Sequence, residues 1–266
     1  MAGAAADGAR ANMLAMADKA LRLDEPSVLT ATRMIDWRRA GGLALPKVGE
    51  AVVFTHESSL LGLRMPWRGR HSASALSLDV APIAGTKSVS LVRCRGVGGP
   101  AAAIAIEELA VAGVRRLVAV DICGSIDPAV PGSQAVLIDR AIAADGTSRH
   151  YSAALVVPPA SKLTEALREQ LTRAGIGFAA GRAWTTDAAY RETRSLIETH
   201  RANGALVVDM EAAAVLAVSA GLGIEAAIVL VATDELFGEW RPPVDMALVR
   251  AQLKRLVIAA AAALQA

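Results

Sequence analysis

Short apolar, β-branched runs alternate with longer stretches of helical spacing from about residue 51 to the C-terminus. The runs Ala51–Phe54, Leu117–Ile122, Gln134–Ala144, Gly177–Trp184, Leu206–Val208 and Ala227–Val231 read as strands. Leu76–Val80 and Ser88–Arg93 read as a hairpin-like pair around Gly85. Helices are predicted over Ala101–Ala112, Ser161–Ala174, Tyr190–Arg201, Asp209–Ala220 and Val244–Leu264. Strand-helix alternation over most of a chain predicts an α/β fold, with a largely parallel or mixed central sheet covered on both faces. Residues 1–48 read as an appended N-terminal helical extension, and 49–266 as one domain. Within the extension, helical patterns cover Asn12–Leu23 and Val28–Arg39, the latter capped by Ser27 and stopped at Gly41–Gly42.

The most informative stretch is Leu206–Leu236, LVVDMEAAAVLAVSAGLGIEAAIVLVATDEL. It reads as strand, helix, glycine break and second strand, ending at Asp234–Glu235. Asp209 suits a helix start, where unpaired amides and the helix dipole favour negative charge. Glu211 lies in so apolar a segment that it needs a partner, and a ligand hydroxyl is one candidate. Asp234 stands where a strand ends, and such ends are where α/β sheets bind ligands.

Composition narrows the classes. The chain has 266 residues, 53% hydrophobic and 20% charged, with a formal net charge of +2. That balance argues against a dedicated nucleic-acid binder or a polybasic membrane anchor. Two cysteines, Cys94 and Cys123, make no disulfide framework and no metal-ligand spacing, so no metal site is expected. The opening residues MAGAAADGARANML show no basic region followed by a long apolar core, and a soluble cytoplasmic protein is expected. The one membrane-like run, Ala212–Thr233, is broken by Gly221, Gly223 and Glu225.

Other segments carry open alternatives. Gly96, Gly98 and Gly99 lead into a helix with Pro100 in its first turn; the glycines serve either backbone approach to a ligand or a tight strand-to-helix turn. Asp121 sits in an apolar strand and is either paired or functional. Arg64, Arg68, Arg70 and His71 form either a solvated basic face or an anion-binding edge. Trp184 packs in the core or stacks on a ligand ring.

Taken together, GVGGPAAAIAIEEL, DGTSRHY, TTDAAYRET, VVDMEAAAVLAV and ATDEL resemble, in that order, the nucleoside phosphorylase-I superfamily, nearest to its uridine phosphorylase-like branch. The resemblance covers about residue 51 to the C-terminus, and the DMEAAA segment is its most specific part. It implies a three-layer α/β/α fold with a distorted, barrel-like mixed sheet, assembled as a dimer, trimer or hexamer. The implied chemistry is cleavage or transfer at the N-glycosidic bond of a small-molecule nucleoside, without a cofactor and with phosphate as a possible co-substrate. Met210 and Glu211 match the residues that hold the ribose. Asp234 matches the aspartate that protonates a leaving purine. Trp184 falls near a base-stacking aromatic, with Thr185 and Thr186 beside it, and Gly98, Gly99 and Asp121 complete the substrate-binding candidates.

The phosphate machinery departs from that pattern. Family phosphorylases carry Gly-Asp-Pro-x-Arg after the first strand, where this chain has Thr55-His56-Glu57-Ser58-Ser59-Leu60. An arginine, a glycine and a serine or threonine before Cys123–Gly124 are replaced by Ala119, Asp121 and Ile122. A lost guanidinium contact to phosphate is worth about 1.5–3 kcal/mol. Three functions follow: glycosyl transfer to phosphate held by other arginines (Arg64, Arg68, Arg70 or Arg95), hydrolysis with Asp121 or Glu57 orienting water, or a nucleoside-binding protein without cleavage.

Overall fold

The strand runs are buried on both faces, and consecutive residues point into different cores. A computed structural model describes residues 25–57, 74–86, 88–243 and 245–266. The chain divides into two units, Met1–Thr30 and Ala31–Ala266, and every element described lies in the second. The helical pattern at Asn12–Leu23 and the basic cluster Arg64, Arg68, Arg70 and His71 fall outside the described residues.

The strands are β1 (Ala51–Thr55), β2 (Leu78–Pro82), β3 (Val89–Cys94), β4 (Arg116–Ser125), β5 (Ala135–Ala143), β6 (Val156–Val157), β7 (Phe178–Thr185), β8 (Ala205–Asp209) and β9 (Glu225–Glu235). The helices are α1 (Ala31–Ala40), α2 (Gly99–Val111), α3 (Ser161–Arg173), α4 (Arg194–Ala202), α5 (Ala212–Gly221) and α6 (Met246–Ala263). In β1, Val52 and Phe54 enter one core while Ala51 and Val53 enter the other. β9 divides likewise, Ile228 and Leu230 facing one way and Val229 and Val231 the other. This is the two-residue period of a strand with both faces covered. The first core takes buried residues of α1, α2 and α5, the second those of α3 and α6. The expected three-layer α/β/α fold with a mixed central sheet is therefore present.

The sheet partly closes on itself. β4 pairs parallel with β9, β9 antiparallel with β5, β5 parallel with β7, β7 parallel with β8, and β8 antiparallel with the end of β4. That circuit is the barrel-like part, and β1, β3 and β2 extend outward from β4. Closure turns on Gly124, where β4 meets both β8 and β9. A Cβ there would lie 2.6 Å from Leu236 Cδ1 and 3.2 Å from Val208 Cγ1. The β4–β9 register shifts between Cys123 and Gly124, so Gly124 pairs with Asp234 and Thr233 is left to the bulge.

Several helices start later than their sequence pattern suggests. The pattern at Val28–Arg39 becomes α1 from Ala31, and the helix expected from Tyr190 begins at Arg194 with Thr193 as its cap. α5 is apolar all round and has Ala212–Ser219 buried, as expected for a helix within the core. On the other side, α3 applies Leu163, Leu167 and Leu171, and α6 applies Val249, Leu253, Leu256 and Val257.

A buried carboxylate ties α1 to this framework. Glu108, 2% exposed on α2, accepts from Arg38 Nη1 at 2.6 Å, from Ser77 Oγ at 3.0 Å and from the Ser77 amide. Arg38 also donates to the Ala75 carbonyl at 2.9 Å. Removing one member of a buried pair strands the other charge. Glu108→Ala is expected to cost about 2–4 kcal/mol in chemical denaturation and to speed hydrogen exchange along α1. Unchanged exchange in Ala31–Ala40 would show that Glu108 does not anchor that helix.

Candidate active site

Strand ends β1, β4, β8 and β9 converge on a cleft of about 440 Å³. Its lining includes His56 and Glu57 after β1, Asp121–Gly124 of β4, Val208–Glu211 at the end of β8, and Thr233, Asp234 and Leu236 at the end of β9. Val97, Ala189 and Glu192 complete the wall. Glu211 and Asp234, nominated separately from sequence, share this one cavity together with Met210 and Asp121.

The turn carrying Glu211 is set by Asp209. β8 runs through Asp209, so the helix expected from that residue begins only at Ala212. Asp209 Oδ2 accepts from the amides of Glu211 at 3.0 Å and Ala212 at 2.5 Å. Thr185 Oγ1 donates to Asp209 Oδ1 at 2.6 Å and accepts from the Ala213 amide at 2.9 Å. Asp209 therefore caps α5 from the strand before it. Burial pushes its carboxyl up to about 7, with the Glu211 charge adding and the hydrogen bonds from Thr185, Glu211 and Ala212 opposing.

Glu211 reaches away from its own helix. Its Oε1 accepts from the Gly98 amide at 2.6 Å. Gly98 has φ 89°, a conformation that favours glycine, and it stands at the N-terminus of α2. The glycine turn thus gives this amide to a carboxylate of the chain itself. Gly99 lies against another structural group: a Cβ would come within 3.1 Å of Asp145 Oδ2 and 3.0 Å of Thr147. Burial raises the Glu211 carboxyl above its ordinary value; His56 pulls it down and Asp121 pushes it up.

Asp121, 8% exposed, is paired. Its Oδ2 accepts from the His56 backbone amide at 2.7 Å and meets His56 Nδ1 at 2.9 Å. Its Oδ1 accepts from the Ile122 amide at 3.1 Å. Burial works against a charged His56, but Asp121, Cys94 and Glu211 outweigh it and drive the ring up to about 10. His56 was read from sequence only as part of a polar turn. Its sole earlier signal was a histidine immediately after a fully apolar strand.

At the far end, Trp240 Nε1 donates to Asp234 Oδ2 at 2.9 Å, and Thr233 Oγ1 lies 2.9 Å from Asp234 Oδ1. Glu192, unremarked in the sequence, has its carboxyl raised to about 7 by burial and then by Asp234. Trp184 and Thr185 lie outside the cleft lining. Trp184 is 2% exposed, packs with Ile126, Ile197 and Val208, and stacks on His200 with centroids 4.2 Å apart. Arg95, a candidate phosphate partner, is bound with Arg93 to Asp79 at 2.8 and 2.5 Å.

The family model described as the phosphorylase superfamily matches residues 80–266. The chain belongs to that superfamily. Among curated members it is similar to uridine phosphorylase of Escherichia coli (strain K12), 28% identical over 155 residues covering 52% of this chain and 61% of the relative. It is also similar to a DeoD-type purine nucleoside phosphorylase of Bacillus cytotoxicus, 28% identical over 149 residues, 55% of this chain and 63% of the relative. The chain thus spans about three fifths of the length of these two relatives. Among solved structures, AMP nucleosidase from Bacteroides thetaiotaomicron VPI-5482 shares the fold, with a TM-score of 0.66 and 18% identity over 88% of this chain and 97% of that one.

The Asp209 clamp predicts a pH signature for this superfamily member. A carboxyl whose folded value lies above its unfolded one holds extra protons in the folded state; its contribution is present at low pH and is lost as pH rises through the folded value. Asp209, at about 7 when folded against about 3.9 for an ordinary aspartate, acts in the window between the two. Asp209→Asn should therefore gain stability relative to the parent as pH rises across that window, measured by urea denaturation. A constant difference would mean that Asp209 is not the titrating group. Thr185→Val should cost about 1–3 kcal/mol through its stranded partners.

Proposed function

We propose that this chain cleaves the N-glycosidic bond of a nucleoside carrying a purine-like base. The observation that carries the reading is the shared cleft, whose lining includes both Glu211 and Asp234. In this reading Met210 packs on the ribose and Glu211 takes its hydroxyls. As the bond breaks, positive charge develops on the sugar, and a carboxylate in a low-dielectric site stabilises it. Asp234 faces the base and delivers a proton to the departing ring, which turns an anionic leaving group into a neutral one. Glu192 beside it, raised to about 7, keeps a proton at that end near neutral pH.

The acceptor is a second matter, and one feature favours water. Among the described residues lining the cleft, acids outnumber the sole basic group His56, although Asp209 and Glu192, raised to about 7, carry less than full charge near neutral pH. Each unit of like charge about 6 Å away opposes an anion by on the order of 3 kcal/mol at an effective dielectric near 20. Asp121 is held by His56, and in this reading Glu57, in the lining directly after β1, orients the attacking water. The printed names of the relatives cover both chemistries, phosphorylase and nucleosidase.

A panel of inosine, adenosine and uridine, with and without added phosphate, tests both parts by chromatography of the freed base. Base release at equal rates without phosphate is expected; strict dependence on phosphate would restore the phosphorylase reading. No release from any nucleoside would remove the proposal. Asp234→Asn should lower kcat/KM for purine nucleosides by about 10²–10⁴-fold and affect uridine far less. Glu211→Gln should lose turnover with little change in melting temperature.

A further inference from the structure

The lone described basic group in a carboxylate-lined cleft has a specific seat. His56 follows β1 directly, and both its amide and its Nδ1 meet the same oxygen, Asp121 Oδ2, at 2.7 and 2.9 Å. Phe54 of β1 packs edge-on to the ring, with centroids 5.1 Å apart. The side chain is 7% exposed; one ring contact to Asp121, the backbone amide on the same oxygen and one aromatic wall seat it, while its buried Nε2 has no hydrogen-bond partner. The charged and titratable groups acting on it come from separate elements: Asp121 from β4, Cys94 from β3 and Glu211 from the β8–α5 turn, with Glu57 next to it in sequence. On Glu211 itself act His56, Asp121, Asp209 and the Gly98 amide.

The asymmetry among these contacts is informative. Asp121 already takes two donors from His56 and one from Ile122. Glu211 is half-buried, sits beside two further carboxylates and takes one short amide donor. Left to burial and like charge, it would take up a proton and could no longer stabilise positive charge on a sugar. A cation that does not leave at working pH opposes that penalty.

We propose that His56, clamped by Asp121, is a positioning residue: a permanent imidazolium that keeps Glu211 ionised. The role of Glu211 rests on the function proposed above, but the charge relationship between the two side chains does not, and the two can fail separately. Asp121 is then the holder of the cation rather than a base toward water.

Carbon-13 NMR titration of glutamate-labelled protein, with the Glu211 signal assigned through Glu211→Gln, reads the relationship directly. His56→Gln should move the Glu211 carboxyl titration upward by about one pH unit or more, the size of shift expected from a nearby charge. His56→Lys, which keeps a cation, should leave it closer to the parent. An unmoved titration in His56→Gln overturns the proposal. Proton–nitrogen spectra of the unmodified protein should show His56 still protonated at pH 8.5; a ring titrating near its ordinary 6.5 overturns it without any variant. Where nucleoside turnover is found, kcat/KM of His56→Gln should fall about tenfold at pH 6 and approach the parent at pH 8.5. An equal loss at every pH would mean a structural role and would also overturn it. Absence of turnover in the parent removes the function proposed above and leaves the NMR titrations to decide this inference.

Discussion

Carboxylates at strand ends are tolerable in this fold only where another group answers each of them. Asp209 is answered by two amides and a threonine hydroxyl, and in return it fixes where α5 begins. That start places Glu211 opposite the Gly98 turn of α2, 113 residues earlier in the chain. Asp121 is answered by His56, and Asp234 by Trp240 and Thr233. Geometry at the cleft is therefore a consequence of electrostatic satisfaction more than of shape. An unanswered carboxylate at these depths would cost several kcal/mol or would become neutral.

The same logic organises the parts away from the cleft. Asp79 binds both Arg93 and Arg95, and Glu108 binds Arg38 and Ser77. These pairs tie β2 to β3 and α1 to α2. They also engage three arginines, Arg38, Arg93 and Arg95, with carboxylates of the chain. Within the core, small residues decide the spacing. An all-apolar α5 rich in alanine lies close under the sheet, and Gly124 lets β4 pair with both β8 and β9.

Periodicity made most of the fold legible, because a run buried on both faces has a local signature whatever it packs against. It could not show β6, only Val156–Val157, or the closed circuit of five strands, since pairing is a long-range property. The cleft was legible where one residue type in an apolar setting demanded explanation, as with Glu211, Asp121 and Asp234. Trp184 illustrates the opposite case: an aromatic near a strand end reads the same whether it faces a ligand or the core, and here it packs on His200, Ile197 and Val208. Thr185 likewise faces inward, toward Asp209. Glu192 and Trp240 sit in loops with no periodicity to mark them, and only the folded chain brings them to Asp234. His56 became meaningful only with Asp121 beside it, 65 residues away.

Charge also bears on how a chain of this superfamily could change its acceptor. A phosphate site needs guanidinium groups aimed inward, because a dianion in a low-dielectric cleft requires charged donors. Among the described residues of the wall the basic group is His56, and it is engaged by Asp121. Water is neutral, and a glycosidic carbon turning cationic is attracted by the same field that repels phosphate. In the function proposed above, hydrolysis would keep Glu211 and Asp234 and call on Glu57 to orient the water.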